Sequence, residues 1–364
     1  MTVFTRQPEP LLNGGRPLRV AANEAPPYRF AYARTALKYG LMAVGCQRGD
    51  VVLVPEFVCT SVLEPFSQLA LELRYYPVSP SLEPEWDELP RLVGQSTVAL
   101  LVVHYFGQPQ VIERCKAFCR THSLLLIEDN AHGYGATSGG LPLGAFGDIG
   151  VASPRKSFPI RNGAYLFLAH SRPATLTALR LEPPPERSLA RRYLDSVCRL
   201  LPPQIATVVL RGIRSRRKRS DRCPSYWSQE AFREPFLAGD FGMDDASEQF
   251  LSQQDFEMVR CKRQQIYKLW EEWVSSRKLT PVFSSLSCGA MPLVFAAYAE
   301  TPADARDWYR RGHRAAVDIH SWPTLPREIV ECDGQAMRQW ERMVCFPIHQ
   351  EMNLEVLKRR LASL

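Results

Sequence analysis

The chain has 364 residues, of which 45% are hydrophobic and 23% are charged, which is the composition of a globular protein. This balance excludes wholesale disorder and a coiled coil, and the length favours two domains or one large α/β unit with an appendage. The formal net charge is +7, but residues 211–222 contain seven Lys/Arg and one Asp and so carry almost all of it. The protein is therefore basic in one segment and close to neutral elsewhere.

The basic segment has three interpretations. It is a solvated loop, a wall that attracts a nucleotide diphosphate across a dimer interface, or a nucleic-acid site. Aromatic side chains are not interleaved with its charges, and no recognised nucleic-acid motif accompanies it. Nucleic acid is therefore the least favoured partner.

The sequence predicts a cytoplasmic protein. The N-terminus has no apolar core of signal-peptide length, and the longest apolar run, residues 293–299, is far shorter than a membrane helix. Ten cysteines are scattered without CxxC pairs, which fits a reducing compartment. Cys115 and Cys119 share a helical face, but without a histidine at ligand spacing they are expected to pack rather than bind a metal.

Strand and helix patterns alternate through the first half of the chain. Helices are predicted over residues 33–45, 60–71, 86–93 and 111–122, and strands over 51–54, 73–78, 97–105, 124–127, 149–152 and 164–168. This alternation predicts an α/β fold with a mainly parallel sheet flanked by helices.

The second half has a different character. Residues 173–239 are rich in Arg and Pro and have few strand signals. A long helical pattern over 246–276 is followed by a predicted strand at 292–298 and helices at 303–312 and 354–364. We therefore predict a large α/β domain over residues 1–240, irregular and basic over 170–240, and a smaller α+β domain over residues 241–364.

Several polar residues follow predicted strands, and ligands of parallel sheets bind at the carboxyl ends of the strands. Asp129 closes the strand in LLLIEDNAH, where a carboxylate could keep a heterocyclic nitrogen protonated or simply cap a helix. Lys156 follows another strand and could form a Schiff base with an aldehyde, although an isolated lysine is more often a solvated surface residue.

Two further groups of residues could complete such a site. Arg34 and Thr35 open the first helix, where backbone N–H groups and the Thr hydroxyl could bind phosphate, or where a helix simply starts. Phe57 follows a strand and could stack on a ring or belong to the core. A phosphate anchor, a ring support, an aspartate and a lysine in this order are the parts of a pyridoxal 5'-phosphate (PLP) site.

These motifs resemble the DegT/DnrJ/StrS aminotransferases, which are fold-type I PLP enzymes that mostly transfer amino groups to nucleotide-linked keto-sugars. The order IED-x-A, FGD and Lys is specific to that family. The resembling segments are residues 33–61, 100–109, 124–150, 153–165 and 342–352.

The resemblance implies a role for each matched residue. Lys156 is expected to carry the Schiff base and the proton, and Asp129 to pair with the pyridinium nitrogen. Arg34, Thr35 and Ser153 are expected at the phosphate, and His132 near the phenolic oxygen. Either Phe57 or Cys59 is expected against the ring.

The resemblance also implies a homodimer that aminates a keto-sugar, expected to be linked to a nucleotide, with an amino acid such as glutamate as donor, in polysaccharide or glycan biosynthesis. The sequence departs from the family at His132, where Gln is usual, in the reduced glycine-rich stretch around Gly163, and at 241–243, where a partner-facing Asn is missing. A PLP-dependent sugar dehydratase and a catalytically silent PLP-fold regulatory protein are the alternatives. Lys156 argues against the dehydratases of the family, which have His there.

Other residues near these motifs keep two interpretations. Arg29, Arg155 and Arg161 could contact a carboxylate or phosphate, or form structural ion pairs. His320, Trp322 and His349 could approach the substrate or simply pack.

Overall fold

The computed structural model describes residues 28–169, 176, 179–184, 237, 239–322, 324–362 and 364. The basic segment 211–222 and most of the irregular region predicted over 170–240 lie outside the described residues.

A seven-stranded mixed sheet forms the centre of the N-terminal region. Its strands lie in the order β1-β9-β8-β5-β4-β2-β3. They are β1 (Tyr28–Phe30), β2 (Val51–Pro55), β3 (Glu72–Tyr76), β4 (Thr97–Val103), β5 (Leu125–Asn130), β8 (Ile149–Ala152) and β9 (Ala164–Leu168). The five strands from β8 to β3 are parallel, and β9 runs antiparallel to both β8 and β1. A small hairpin of β6 (Thr137–Ser138) and β7 (Leu141–Pro142) follows β5.

The strands are buried because helices cover the sheet. Each residue of β2 and β8 is buried, as the continuous apolar runs predict for strands covered on both faces. The helices of this region are α1 (Ala33–Val44), α2 (Glu64–Gln68) and α3 (Ile112–His122). Cys115 and Cys119 of α3 are buried in the apolar core, as predicted for packing residues.

Three predicted helices differ from the structure. The helix predicted over 86–93 is a 3-10 turn at Leu89–Leu92 that contains Pro90. Side-chain chemistry explains the other two differences. Where a helix is predicted over 60–71, the structure has a 3-10 turn at Thr60–Val62 followed by the short α2. Pro65 lies in the first turn of α2, where the N–H group that proline lacks would have no partner within the helix. The helix predicted over 246–276 is split because the Asp255 carboxylate accepts the Met258 N–H at 3.0 Å and starts a new helix.

The C-terminal region contains a three-stranded antiparallel sheet in the order β10-β11-β12, with β10 (Leu279–Pro281), β11 (Val294–Ala299) and β12 (Met343–Pro347). Its helices are α4 (Asp245–Ser252), α5 (Phe256–Val274), α6 (Pro302–Arg314), α7 (Arg327–Cys332), α8 (Gln335–Arg342) and α9 (Leu354–Leu361). The sequence patterns do not predict the strands β10 and β12 or the helices α7 and α8. None of the helices in the described ranges is long and apolar enough to cross a membrane.

Strand β11 joins two apolar cores. Val294, Ala296 and Tyr298 belong to the core of the large sheet. The alternating residues Phe295, Ala297 and Ala299 belong to a second core with Trp270 and Phe346. Since side chains alternate across a strand, one strand faces both cores.

Gly107 lies where the N-terminal and C-terminal regions meet. Its carbonyl accepts the Met291 N–H at 3.1 Å, and its φ is +82°. A Cβ at this position would lie 2.0 Å from the Met291 carbonyl oxygen, so the backbone there leaves no room for a side chain.

We predict that Gly107→Ala lowers the free energy of unfolding by about 2–5 kcal/mol, because left-handed strain adds to the steric clash. Gly49→Ala is the matched control, because Gly49 has φ +87° but no neighbouring atom within 4 Å of the point that a Cβ would occupy. It should cost about 1–2 kcal/mol. Urea unfolding of the two variants checks this, and equal losses would contradict the steric argument.

Candidate active site

A cleft of about 430 Å³, open to solvent, lies at the carboxyl ends of β5 and β8. Its walls come from the start of α1, the turn after β2, the end of β5 and the turn after β8. The lining residues are Tyr32, Ala33, Arg34, Leu37, Ser61, Val62, Asp129, Ala131, Val151, Ser153, Arg155 and Lys156. The parallel sheet thus brings together Arg34, Asp129, Ser153 and Lys156 from distant parts of the chain.

Asp129 is a buried carboxylate in β5, paired with Val103 of β4 and Val151 of β8. Its Oδ1 accepts the Ala131 N–H at 2.9 Å, so the residue ends a strand and does not cap a helix. Burial raises the pKa of the Asp129 carboxyl, while the positive charge of Lys156 and the Ala131 N–H partly oppose this increase. A cation bound in the cleft would therefore stabilise the ionised form.

Lys156 lies in a 3-10 turn, Pro154–Lys156, directly after β8. Arg263 of α5 holds this turn from behind by donating to the Ser157 carbonyl at 2.8 Å and to the Pro292 carbonyl at 2.8 Å. Arg263 is completely buried, and burial lowers the pKa of its guanidinium to about 9. The C-terminal region therefore fixes the position of the turn that carries Lys156.

The first turn of α1 lines the cleft with Tyr32, Ala33 and Arg34. Its N-cap, Tyr32, provides no side-chain hydrogen bond to the helix. Ser153 lines the cleft and is buried. The Thr35 hydroxyl is buried without a hydrogen-bond partner among the described residues, but Thr35 lies in a separate small pocket with Glu64 and Asp240 and is not among the residues that line the cleft. Helix N-terminal N–H groups with a partial positive charge are suited to bind phosphate.

Arg34 also lines the cleft, but its guanidinium is already paired. Its Nη1 lies 2.6 Å from Oε2 of Glu64, and both side chains are largely buried. Glu64 also accepts the Leu237 N–H at 3.0 Å. Arg34 therefore approaches the expected phosphate position as half of an ion pair.

His132 is buried next to the cleft and, within the described part of the chain, does not line it. Its Nδ1 accepts the Phe106 backbone N–H at 3.3 Å, so the proton of the neutral ring lies on Nε2. Burial, reinforced by the charge of Lys156, lowers the pKa of His132 well below its usual value. The ring is therefore neutral and packs between Phe106 and Trp322.

Phe57 and Cys59 are the two residues expected against a bound ring. Phe57 is fully buried against Tyr105 and Trp322, which places it in the core rather than on the cleft wall. Cys59 is half-buried, and its Sγ lies 3.3 Å from the hydroxyl of Ser61, which does line the cleft. Of the two, Cys59 lies beside a cleft-lining residue.

A buried pair beneath the site is not evident from the sequence patterns. His104 Nε2 lies 2.8 Å from Glu128 Oε2, and both side chains are buried. His104 Nδ1 accepts the Gln110 N–H, so Nε2 carries the proton donated to Glu128. The Glu128 carboxylate also accepts the N–H groups of Gly144, Phe146 and Gly147. The signal in the sequence that could have indicated this pair is that His104 and Glu128 both lie at the ends of predicted buried strands.

The cleft fits PLP on its own chemistry. It combines a buried carboxylate, a lysine, a buried serine and the uncapped start of a helix. In the described ranges, no group of three or more His, Cys, Asp or Glu side chains could hold a metal ion.

Comparison with known proteins agrees with this geometry. Residues 30–164 match the profile of the DegT/DnrJ/EryC1/StrS aminotransferase family. GDP-perosamine synthase of Vibrio cholerae is 32% identical over 119 residues, which are 32% of each chain. dTDP-4-dehydro-2,3,6-trideoxy-D-glucose 4-aminotransferase of Saccharopolyspora spinosa is 30% identical over 106 residues, 29% of this chain and 28% of that one. The resemblance to this family is thus confirmed, although this chain matches only about a third of these relatives' length.

The fold comparison covers more of the chain. The PMP form of the putative sugar aminotransferase Spr1654 from Streptococcus pneumoniae superposes with a TM-score of 0.67 at 13% identity, covering 92% of this chain and 86% of that one. The predicted α/β fold of fold-type I PLP-transferases, with its mostly parallel sheet flanked by helices, is confirmed.

We predict that Glu128→Gln lowers the free energy of unfolding by about 3 kcal/mol at pH 7, because the amide cannot replace a carboxylate with four donors. Burial alone would raise the pKa of Glu128, but His104 and the backbone N–H groups outweigh it and lower that pKa. The carboxylate therefore stabilises the fold above the usual Glu range, and this stabilisation is lost as the pH falls through the lowered pKa.

Urea unfolding at pH 7 and at about pH 4 measures both effects, and the difference between wild type and variant should shrink at the lower pH. Glu113→Gln is the control, because Glu113 is exposed and forms only a surface pair with Lys116. A pH-independent difference for Glu128→Gln would contradict the ionic explanation.

Proposed function

We propose that the protein is a PLP-dependent aminotransferase that moves an amino group from an amino acid, glutamate, to a keto-sugar linked to a nucleotide. The observation that carries the proposal is the meeting of Asp129 and Lys156 in one cleft, opposite the start of α1. The family match over residues 30–164 and the relatives that act on nucleotide-linked sugars support it.

PLP, when bound, supplies an aldehyde that condenses with amines and a ring that accepts electrons from the carbon being deprotonated. Asp129 binds and orients the ring nitrogen. Its buried carboxylate is costly to ionise alone, so it favours a protonated nitrogen as its partner. This pairing makes the ring a stronger electron acceptor.

Lys156 is the proton carrier. Its amine stands on a turn held by the Arg263 hydrogen bond to the Ser157 carbonyl, so its reach into the cleft is fixed by a rigid support. A lysine amine beside the reacting carbon can take a proton from one atom and return it to another. Fixing the turn keeps this transfer within hydrogen-bond range.

The other predicted residues serve binding. The N–H groups at the start of α1, with that of Thr35 among them, hold the phosphate together with Ser153. The neutral His132 ring contributes a hydrogen-bond donor at Nε2 to the oxygen side of the site. Cys59 contacts the ring in place of an aromatic residue.

The remaining parts of the proposal concern assembly and setting. We propose a cytoplasmic homodimer acting in polysaccharide or glycan biosynthesis, with a large domain over residues 1–240 and a small domain over 241–364.

A dehydratase and a catalytically silent PLP-fold protein are the competing functions. Glutamate and then a keto-sugar nucleotide, added in turn to the PLP-loaded protein, separate the three. An aminotransferase forms pyridoxamine phosphate stoichiometrically, whereas a silent protein leaves the absorbance unchanged with every donor. A dehydratase would release a dehydrated sugar without net transfer of nitrogen.

We predict that Lys156→Ala abolishes the visible absorbance of the PLP-loaded protein and amino transfer from glutamate. Borohydride reduction followed by peptide mapping should place the pyridoxyl group of wild type on Lys156. Lys278→Ala is the control, because the Lys278 side chain is 84% exposed and pairs with Glu300 at the surface. Labelling of another lysine, or wild-type protein that binds no PLP, would refute the assignment.

We predict opposite effects of Asp129→Asn on the free and loaded protein. Because burial raises the pKa of Asp129, its ionised form destabilises the unliganded fold at pH 7, so the variant should melt at an equal or higher temperature than wild type. PLP should bind the variant about tenfold more weakly, since a charged hydrogen bond is lost.

Thermal shifts with and without PLP measure both effects, because at a fixed ligand concentration a bound ligand raises the melting temperature by an amount that grows with the logarithm of its affinity. An equal PLP-induced shift in variant and wild type would show that Asp129 does not contact the ring nitrogen.

A further inference from the structure

Three arginines near the site could bind an anion, and the structure separates them. Arg29 forms an ion pair with Glu248. Arg161 is exposed and is not among the residues that line the cleft. Arg155 lines the cleft beside Lys156. Of the three, Arg155 is therefore the one in contact with the ligand space.

The guanidinium of Arg155 lacks an acidic partner within the described part of the chain. Its Nε is buried without a hydrogen-bond acceptor. The other cleft arginine, Arg34, is matched by Glu64 at 2.6 Å. A buried guanidinium donor without an acceptor is costly, so the Arg155 site is incomplete until a ligand supplies an oxygen.

An aromatic ring holds this guanidinium in place. Cζ of Arg155 lies 5.3 Å from the ring centroid of Tyr32, within cation–π range. Tyr32 is the N-cap of α1 and also lines the cleft. Contact with the ring places Arg155 at the helix start, whose N–H groups carry partial positive charge.

Among the described residues, Arg155 is the cationic side chain of the cleft that has no anionic partner. Lys156 faces the carboxylate of Asp129, and Arg34 is neutralised by Glu64. Arg155 and the start of α1 have no anion opposite them among the described residues. The cleft therefore needs an anionic group at this end.

We propose that the Arg155 guanidinium, and not that of Arg34, binds the phosphate monoester of the ligand, beside Ser153 and the N–H groups at the start of α1. This inference rests on the proposed function for the identity of the ligand as PLP. A guanidinium fork matches two phosphate oxygens at once, which a lysine or a paired arginine does not.

The test compares PLP with pyridoxal, which carries the same aldehyde and ring but no phosphate. Both are titrated into the full-length apoprotein, with the visible absorbance as the readout of binding, so no turnover is needed. Arg155→Gln should weaken PLP binding about 10- to 100-fold and leave pyridoxal binding unchanged. Arg155→Lys should fall between wild type and Gln, because the charge remains but the fork is lost.

Arg161→Gln is the matched control, because it removes the same charge from the same loop and should leave both affinities at the wild-type level. Urea unfolding confirms that each variant is folded before titration. Two results would overturn the proposal: unchanged PLP affinity in Arg155→Gln, or equal weakening for PLP and pyridoxal, which would indicate support of the Lys156 turn.

A normal PLP affinity with a raised KM for glutamate would also overturn it, by assigning Arg155 to the carboxylate of the amino donor. Failure of the proposed function gives a different result from failure of the phosphate assignment. A wild type that binds PLP far more tightly than pyridoxal, and loses this preference in Arg155→Gln, supports the phosphate site even if glutamate transfers no nitrogen.

Discussion

The burial of the Asp129 carboxylate is the constraint on which the site depends. A carboxylate without water around it is expensive to ionise, and a parallel sheet is an effective way to bury one, because helices cover its faces. Asp129 lies on a central strand between β4 and β8, and this strand order also brings the turn after β8 within range of Asp129. Burial of the aspartate and approach of Lys156 are thus two results of one strand order.

The second requirement is support from the distant half of the chain. The Lys156 turn has three backbone hydrogen bonds of its own, which the N–H groups of Lys156, Ser157 and Phe158 donate to the Ser153 and Pro154 carbonyls, but these bonds do not attach it to the rest of the molecule. A desolvated arginine from α5 takes over this task through backbone carbonyl groups. Trp322 similarly packs on Phe57, Phe106 and His132 from the C-terminal side. The first half of the chain therefore provides the residues that line the site, and the second half provides the contacts that hold them in position.

Local patterns predict the large sheet well, because covered parallel strands are continuous apolar runs and the crossovers between them follow strict rules. The strands predicted at 149–152 and 164–168 are correct to the residue. Asp129 and Lys156 stand out in the sequence because each follows such a run. β12 escapes prediction although MVCFP is fully buried, since five apolar residues do not distinguish a strand from a helix end.

Pairing between distant side chains is the other limit. Nothing near Arg34 in sequence indicates that Glu64 neutralises it, and nothing near Phe57 shows that Trp322 closes over it. Such contacts depend on three-dimensional packing. For the same reason, the sequence does not decide which of Arg29, Arg155 and Arg161 reaches the cleft.

The shared strand β11 has a consequence for how the molecule comes apart. Its alternating side chains close one core with Val294 and another with Phe295, and its backbone pairs with both β10 and β12. A fragment cut near residue 240 would leave the first core open along the whole face that β11 covers. The change of architecture near residue 240 is thus not a boundary between two regions that unfold independently. Loss of the C-terminal sheet should therefore loosen the cleft even though no cleft residue is changed. Proteolysis or truncation near residue 240 should yield an unstable fragment and not an independently folded domain.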